Sequence, residues 1–235
     1  MHQRQVNSNK ILSLELDDGS RCFEVKDIQQ ASVSHFVKLF EEPGGPHQAT
    51  TPLHSVHKSI SADAATDLVR PVTCEEVRTM IFNMNPNKAP RPDGFTALFY
   101  QKSWNTVGND VVLAVQSFFR NGRLLKEVNT TSLTQVPKIN NPSKLSDFRP
   151  ISCCNILYKC ISGILANRLK TVLPQIIDPV QTAFILGRHI SDNILIAHEL
   201  FRNYNTSSAP PRCAFKIDFF KAFDTVRWFF LTNLL

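Results

Sequence analysis

The sequence predicts an α+β chain, mostly helical with short antiparallel hairpins. Apolar residues recur at helical spacing in several stretches. Two other segments combine β-prone runs with turn-forming residues, the signature of hairpins. No stretch approaches the roughly 20 apolar residues that span a bilayer, and Met1-His2-Gln3-Arg4-Gln5 lacks the apolar run of a signal peptide, so the chain reads as soluble and intracellular.

Length and composition set the frame. With 235 residues, 43% of them hydrophobic, the chain can bury one good core and a small second one, and 8 glycines exclude a collagen-like repeat. The net charge of +6 is unevenly spread: residues 1–85 carry 8 basic and 11 acidic groups, residues 86–235 carry 18 and 9. The second part is therefore at +9, which suits a polyanion partner and equally a solvated basic surface. Cys22, Cys74, Cys153, Cys154, Cys160 and Cys213 show neither a small secreted framework nor zinc spacing, and read as free thiols.

Taken in order, Ile11–Leu16 and Arg21–Val25 flank Asp17-Asp18-Gly19-Ser20, a hairpin signal because Asp-Gly supplies the backbone of a tight turn. Ile28, Ser32, His35, Phe36, Leu39 and Phe40 then follow helical spacing up to Pro43-Gly44-Gly45-Pro46. Pro43 to about Arg70 has no sustained period and reads as a linker or loop; His47, His54 and His57 within it lack ligand partners. Thr73-Cys74-Glu75-Glu76 is a capping box opening a helix with Val77, Met80, Ile81 and Met84 on one stripe, stopped by Pro86, Pro90 and Pro92. A short helix follows between Phe95 and Trp104. Asn109 or Asp110 caps another, with Val111, Val112, Val115, Phe118 and Phe119, ended by Asn121-Gly122.

Thr130–Val136 is β-prone, and Asn140-Asn141-Pro142-Ser143 turns the chain toward a second short apolar stretch around Phe148, giving a hairpin with a basic tip. The strongest helical stripe comes next, from Ile156 through Cys160, Ile161, Ile164 and Leu165 to Leu173, with Lys159, Arg168 and Lys170 on the opposite face and Pro174 as its end. Ser191-Asp192-Asn193 offers a cap for one more helix to about Arg202. In Cys213–Phe220, alternation puts Phe215, Ile217 and Phe219 on one face of a strand and Lys216 and Asp218 on the other. A carboxylate at a strand end is a hard oxygen ligand of the kind Mg²⁺ uses beside phosphates, although Asp218 alone is also explained as a solvated carboxylate, and Asp224 as a helix cap.

Lys216-Ile217-Asp218-Phe219-Phe220-Lys221-Ala222-Phe223-Asp224-Thr225-Val226-Arg227-Trp228 resembles the first catalytic motif of reverse transcriptases from non-long-terminal-repeat, LINE-type retrotransposons. Four blocks in that family's order precede it: Asn87–Phe95; Val136-Pro137-Lys138 with Asp147–Ser152; Tyr158-Lys159 through Lys170; and Gln181–His189 with Asp192-Asn193. The resemblance covers about residues 70–235 and implies the fingers and partial palm of a right-hand polymerase: an upstream hairpin-helix region and linker over 1–70, fingers over 71–205, and the start of the palm over 206–235. It implies RNA-directed DNA synthesis by two-metal phosphoryl transfer, with RNA template, DNA primer and deoxynucleoside triphosphates as partners and nuclear action.

Residue by residue, the resemblance makes Asp218 a catalytic ligand of Mg²⁺, and Lys138 and Arg149 the cations that grip the triphosphate. Phe223 becomes the aromatic beneath the incoming sugar, and Gln181 and Arg188 residues near the template. Arg91 stands in Ala89-Pro90-Arg91-Pro92-Asp93-Gly94 where the family usually has Gly. The paired aspartates of a later motif do not occur within these residues, which reads as a truncated chain, inactive alone, whose C-terminal strand exposes an apolar face and limits solubility. The alternative is a non-catalytic RNA-binding remnant of such an element.

Overall fold

Asp18 and Gly19 make the first turn among the described residues. The Asp18 carboxylate accepts from Ser20 N at 2.8 Å and Ser20 Oγ at 2.6 Å, and Gly19 takes φ 82°, a left-handed value that costs glycine nothing. Strands β1 (Leu14–Glu15) and β2 (Arg21–Cys22) pair antiparallel across it, Leu14 opposite Cys22 and Glu15 opposite Arg21. The computed structural model describes residues 11–41, 59–202, 204, 213–218 and 226. The three loop histidines, Phe223 and Asp224 lie outside them.

The chain forms two compact units. One takes in the described residues of Met1–Pro52, Leu133–Ile151 and Cys213–Leu235, the other those of Leu53–Ser132 and Ser152–Arg212. In the first, helix α1 (Val25–Phe40) buries Ile28 and Phe36. Leu14, Cys22 and Ile28 share a small core with Leu145 and Phe148, and Glu15 N donates to Ser143 O at 2.8 Å. The N-terminal hairpin thus packs under a segment more than a hundred residues away in sequence.

The second unit is helical: α2 (Ala62–Val69), α3 (Cys74–Phe82), α4 (Ala97–Lys102), α5 (Trp104–Asn121), α6 (Lys126–Asn129), α7 (Ile156–Ile176) and α8 (Ile190–Phe201). The expected stripes of α3, α5 and α7 meet in one core in which Val77, Ile81, Val115 and Ile164 are at most 1% exposed. Each contributes about 1.5–3 kcal/mol by leaving water. Strands β3 (Thr131–Pro137) and β4 (Phe148–Cys154) pair as a second two-stranded sheet. A 3₁₀ turn, Leu145–Asp147, leads into β4.

Several expectations are corrected. Residues 62–69, expected as linker, form α2, where the Ser61 hydroxyl caps Ala64 N at 3.3 Å; no residue of this helix is buried, so no apolar stripe announces it. Helix α5 begins at Trp104 rather than near Asn109, because the Trp104 indole folds over Gly108: a Cβ there would meet the ring at 2.8 Å. Pro174 does not end α7, which runs on to Ile176; a proline in the last turn forfeits only one helical hydrogen bond. Helix α8 opens at Ile190, one residue before the expected cap, and the Asn193 amide donates to Val180 O instead.

Charge misassigned one face. Arg168, expected on the solvent side of α7, is buried, with a side chain 6% exposed. Its Nε and Nη2 donate to the two Glu76 carboxylate oxygens at 3.0 and 2.9 Å, and Nη1 donates to Leu68 O and Arg70 O at 3.0 and 2.8 Å. The guanidinium also lies 5.5 Å from the Phe119 ring centroid. Glu76 is therefore turned toward Arg168 and Arg70 while Thr73 Oγ1 caps Glu76 N at 3.1 Å.

Residues 213–218 have irregular backbone, correcting the expected strand. Phe215 and Ile217 are 85% and 79% exposed, and among the described residues no partner strand makes the alternation a ladder.

Candidate functional site

The second hairpin holds two of the candidate residues, and its tip is built by Asp147. The Asp147 carboxylate accepts from Ser143 N at 3.0 Å and Lys144 N at 2.9 Å. Those backbone hydrogen bonds, seconded by nearby Lys144 and Lys138, hold its pKa below the ordinary carboxylate value. Lys138 N donates to Asp147 O at 2.8 Å, and Lys138 Nζ reaches Ser146 O at 2.8 Å, so the ammonium lies along the tip. Arg149 is exposed on β4. Lys144 is drawn to Glu15 at 3.2 Å, which joins the tip to the N-terminal hairpin. In the sequence Asp147 stood out only as the first residue of the block Asp147–Ser152, not as the builder of the tip.

Asp218 is exposed, and it belongs to the same compact unit as Lys138 and Arg149; Gln181 and Arg188 belong to the other. Among the described residues no three His, Cys, Asp or Glu side chains gather where they could hold a metal ion. Among the described residues Asp218 is therefore a single carboxylate, which by itself does not fit a two-cation centre.

Between α7 and α8 the loop is organised by Arg188. Its Nη1 donates to Asp178 O at 2.5 Å and Gln181 O at 2.6 Å, and its Nη2 to Pro174 O at 3.2 Å and Ile177 O at 2.9 Å. Of these acceptors, Pro174 O is a late carbonyl of α7 and Ile177 O belongs to its C-cap, positions that lack a helical donor ahead of them. Gln181 is exposed, and its amide donates to Ala183 O at 3.3 Å. Phe184, 86% exposed, takes φ 64°, a conformation that costs a bulky residue about 1–2 kcal/mol.

Residues 136–235, from the end of β3 through Asp218, match the family model described as reverse transcriptase (RNA-dependent DNA polymerase). Along its whole length the chain is 27% identical to the "Transposon TX1 uncharacterized 149 kDa protein" of Xenopus laevis, of which it covers 20%. Over 60% of its length it is 28% identical to the "Retrovirus-related Pol polyprotein from type-2 retrotransposable element R2DM" of Drosophila melanogaster, covering 13% of that protein. The chain therefore spans a fifth or less of the length of these relatives. Residues 136–235 are thus similar to reverse transcriptases, and the relatives named are proteins of a transposon and of a retrotransposable element.

No helix among the described residues is long and apolar enough to cross a membrane.

Proposed function

We propose that this chain supplies the fingers, over residues 71–205, and the opening of the palm, over residues 206–235, of an RNA-directed DNA polymerase that copies retrotransposon RNA. The observation that carries the reading is the reverse-transcriptase match over residues 136–235, which takes in both the basic hairpin and the Asp218 motif. Lys138 and Arg149 then present positive charge to an incoming deoxynucleoside triphosphate: Arg149 as a planar fork suited to two phosphate oxygens, Lys138 as a compact charge on a flexible stem. Phe223 limits the space beneath the sugar and so disfavours a ribonucleotide. Gln181 and Arg188 lie along the RNA template; with Nη1 and Nη2 committed to backbone carbonyls, Arg188 offers Nε and the shape of its loop.

Mg²⁺ is the cation this family implies, and Asp218 is the carboxylate that would help to hold it. The test is Mg²⁺-dependent extension of a DNA primer on an RNA template, by this chain expressed together with its downstream coding sequence. Asp218→Ala abolishes extension; activity that survives it removes the assignment. The +9 charge of residues 86–235 favours a second reading, RNA binding without synthesis. Binding in an extended protein that never extends a primer would establish it.

A further inference from the structure

We propose that the N-terminal hairpin is a brace for the tip of the β3–β4 hairpin, and that Glu15 is a positioning residue which, through that tip, sets the place of Lys138. Among the residues of β3 and β4 only Phe148 is buried. A two-stranded hairpin with so little of itself out of water is marginal alone, so its position depends on what packs against it. Leu145 and Phe148 stand on either side of Ser146 and Asp147, and they are 9% and 4% exposed. The core that covers them consists of Leu14 on β1, Cys22 on β2 and Ile28 on α1. Residues 14–28 thus hold the 3₁₀ turn of the tip at both of its ends.

A run of hydrogen bonds carries this contact into the tip. Glu15 N donates to Ser143 O at 2.8 Å, and Ser143 N donates to the Asp147 carboxylate at 3.0 Å. Lys138 N donates to Asp147 O at 2.8 Å, and Lys138 Nζ to Ser146 O at 2.8 Å. A shift of β1 therefore reaches the groups that fix Lys138 at its backbone and at its ammonium. The Glu15 carboxylate adds charge to the link: Oε1 lies 3.2 Å from Lys144 Nζ, and Oε2 lies 3.9 Å from Arg21 Nη2. It stands between a cation of its own hairpin and a cation of the tip.

Beside these contacts runs an open groove of about 910 Å³, lined by parts of β1, β2, α1 and residues 144–146. The tip is therefore not wedged between filled faces. Its place is decided by the small apolar core and by Glu15, and the partners of Glu15 are all in the same compact unit as Lys138. A residue of the brace acts on substrate only through the tip, so its loss weakens the hold on a triphosphate and leaves the bond-making step alone.

That a triphosphate is what the tip receives rests on the polymerase reading; that the hairpin sets the tip does not, and two measurements separate them. In the 1–235 chain, amide hydrogen exchange at Lys138, Ser143, Lys144 and Asp147 is followed in Glu15→Lys. The change removes a partly exposed ion pair and sets a like charge against Lys144, which should speed exchange at these amides about two- to thirtyfold. Asp17→Lys, an equal change of charge at the exposed turn of the same hairpin, should leave them unaltered. Glu15→Lys combined with Lys144→Glu should restore the parent rates. If circular dichroism shows Glu15→Lys to be unfolded, Lys144→Gln gives a milder readout, up to about fivefold. In the chain expressed with its downstream coding sequence, Glu15→Lys should raise the KM for deoxynucleoside triphosphate by a similar factor with kcat unchanged. The double reversal should bring that KM back. Unaltered exchange in Glu15→Lys, an equal change in Asp17→Lys, no recovery in the double reversal, or a fall in kcat at constant KM overturns the proposal. Coupled exchange in a protein that never extends a primer supports the brace and overturns the polymerase reading alone.

Discussion

Replacing Arg168 by Met keeps the apolar stem of the side chain and deletes the guanidinium. Four hydrogen bonds disappear: two to Glu76 and one each to Leu68 O and Arg70 O. Removing one member of a buried pair costs about 3–5 kcal/mol, because its partners are left without compensation. Here Glu76 keeps Arg70, at 3.2 Å, and its side chain is 18% exposed, so the lower end of the range applies, about 3 kcal/mol. With a urea dependence of about 1–3 kcal/mol/M, the midpoint falls by about 1–3 M, which circular dichroism resolves. Arg168→Lys should recover little, since an ammonium cannot span both carboxylate oxygens and two carbonyls. A double-mutant cycle with Glu76→Gln isolates the pair. A loss under about 1 kcal/mol for Arg168→Met, or a wild-type midpoint for Arg168→Lys, would refute the reasoning.

Five further outcomes are expected. The hydrogen bond from Arg168 holds the Glu76 pKa below 4.5, so the folded state binds fewer protons than the unfolded state in that range. This contribution is complete above pH 4.5 and is lost as pH falls through the folded value; acid titration of stability should show it, and Arg168→Met should remove it. Burial pushes the Cys160 thiol up to about 12, so at pH 8 iodoacetamide should label exposed Cys74 and Cys213 and spare Cys160 until the chain unfolds, as read by peptide mass spectrometry. Gly122 ends α5 at φ 67°, and Gly122→Ala should cost about 1–2 kcal/mol in the same urea assay. If the proposed synthesis is reconstituted, Arg149→Ala should raise the KM for deoxynucleotides and Phe223→Ala should increase ribonucleotide incorporation; unchanged values would return both to a structural role.

The helices with a wide apolar stripe were legible from the sequence, since α3, α5 and α7 bury most of the residues their spacing marks, although Leu165 of α7 stays 42% exposed. What escaped were features set by particular partners. Arg168 was placed outside by its charge, yet a carboxylate and two carbonyls distant in sequence make burial stable. Gly108 resembles a break in a helix, but its missing side chain makes room for an indole. The Asp218 segment has the alternation of a strand, but alternation describes faces, and a strand also needs a neighbour to receive its hydrogen bonds. Of the candidate site, residue types and order were readable. The use of Arg188 on four backbone carbonyls was not, because carbonyl acceptors leave no trace in side-chain chemistry.

That arginine has a mechanical consequence. By gathering the carbonyls of residues 174, 177, 178 and 181 it works as a clasp, closing the chain between α7 and α8 into a ring without a covalent bond. A ring fastened at one point opens all at once. Amide exchange along this loop should therefore follow a single opening event, and Arg188→Ala should release every protected amide there together.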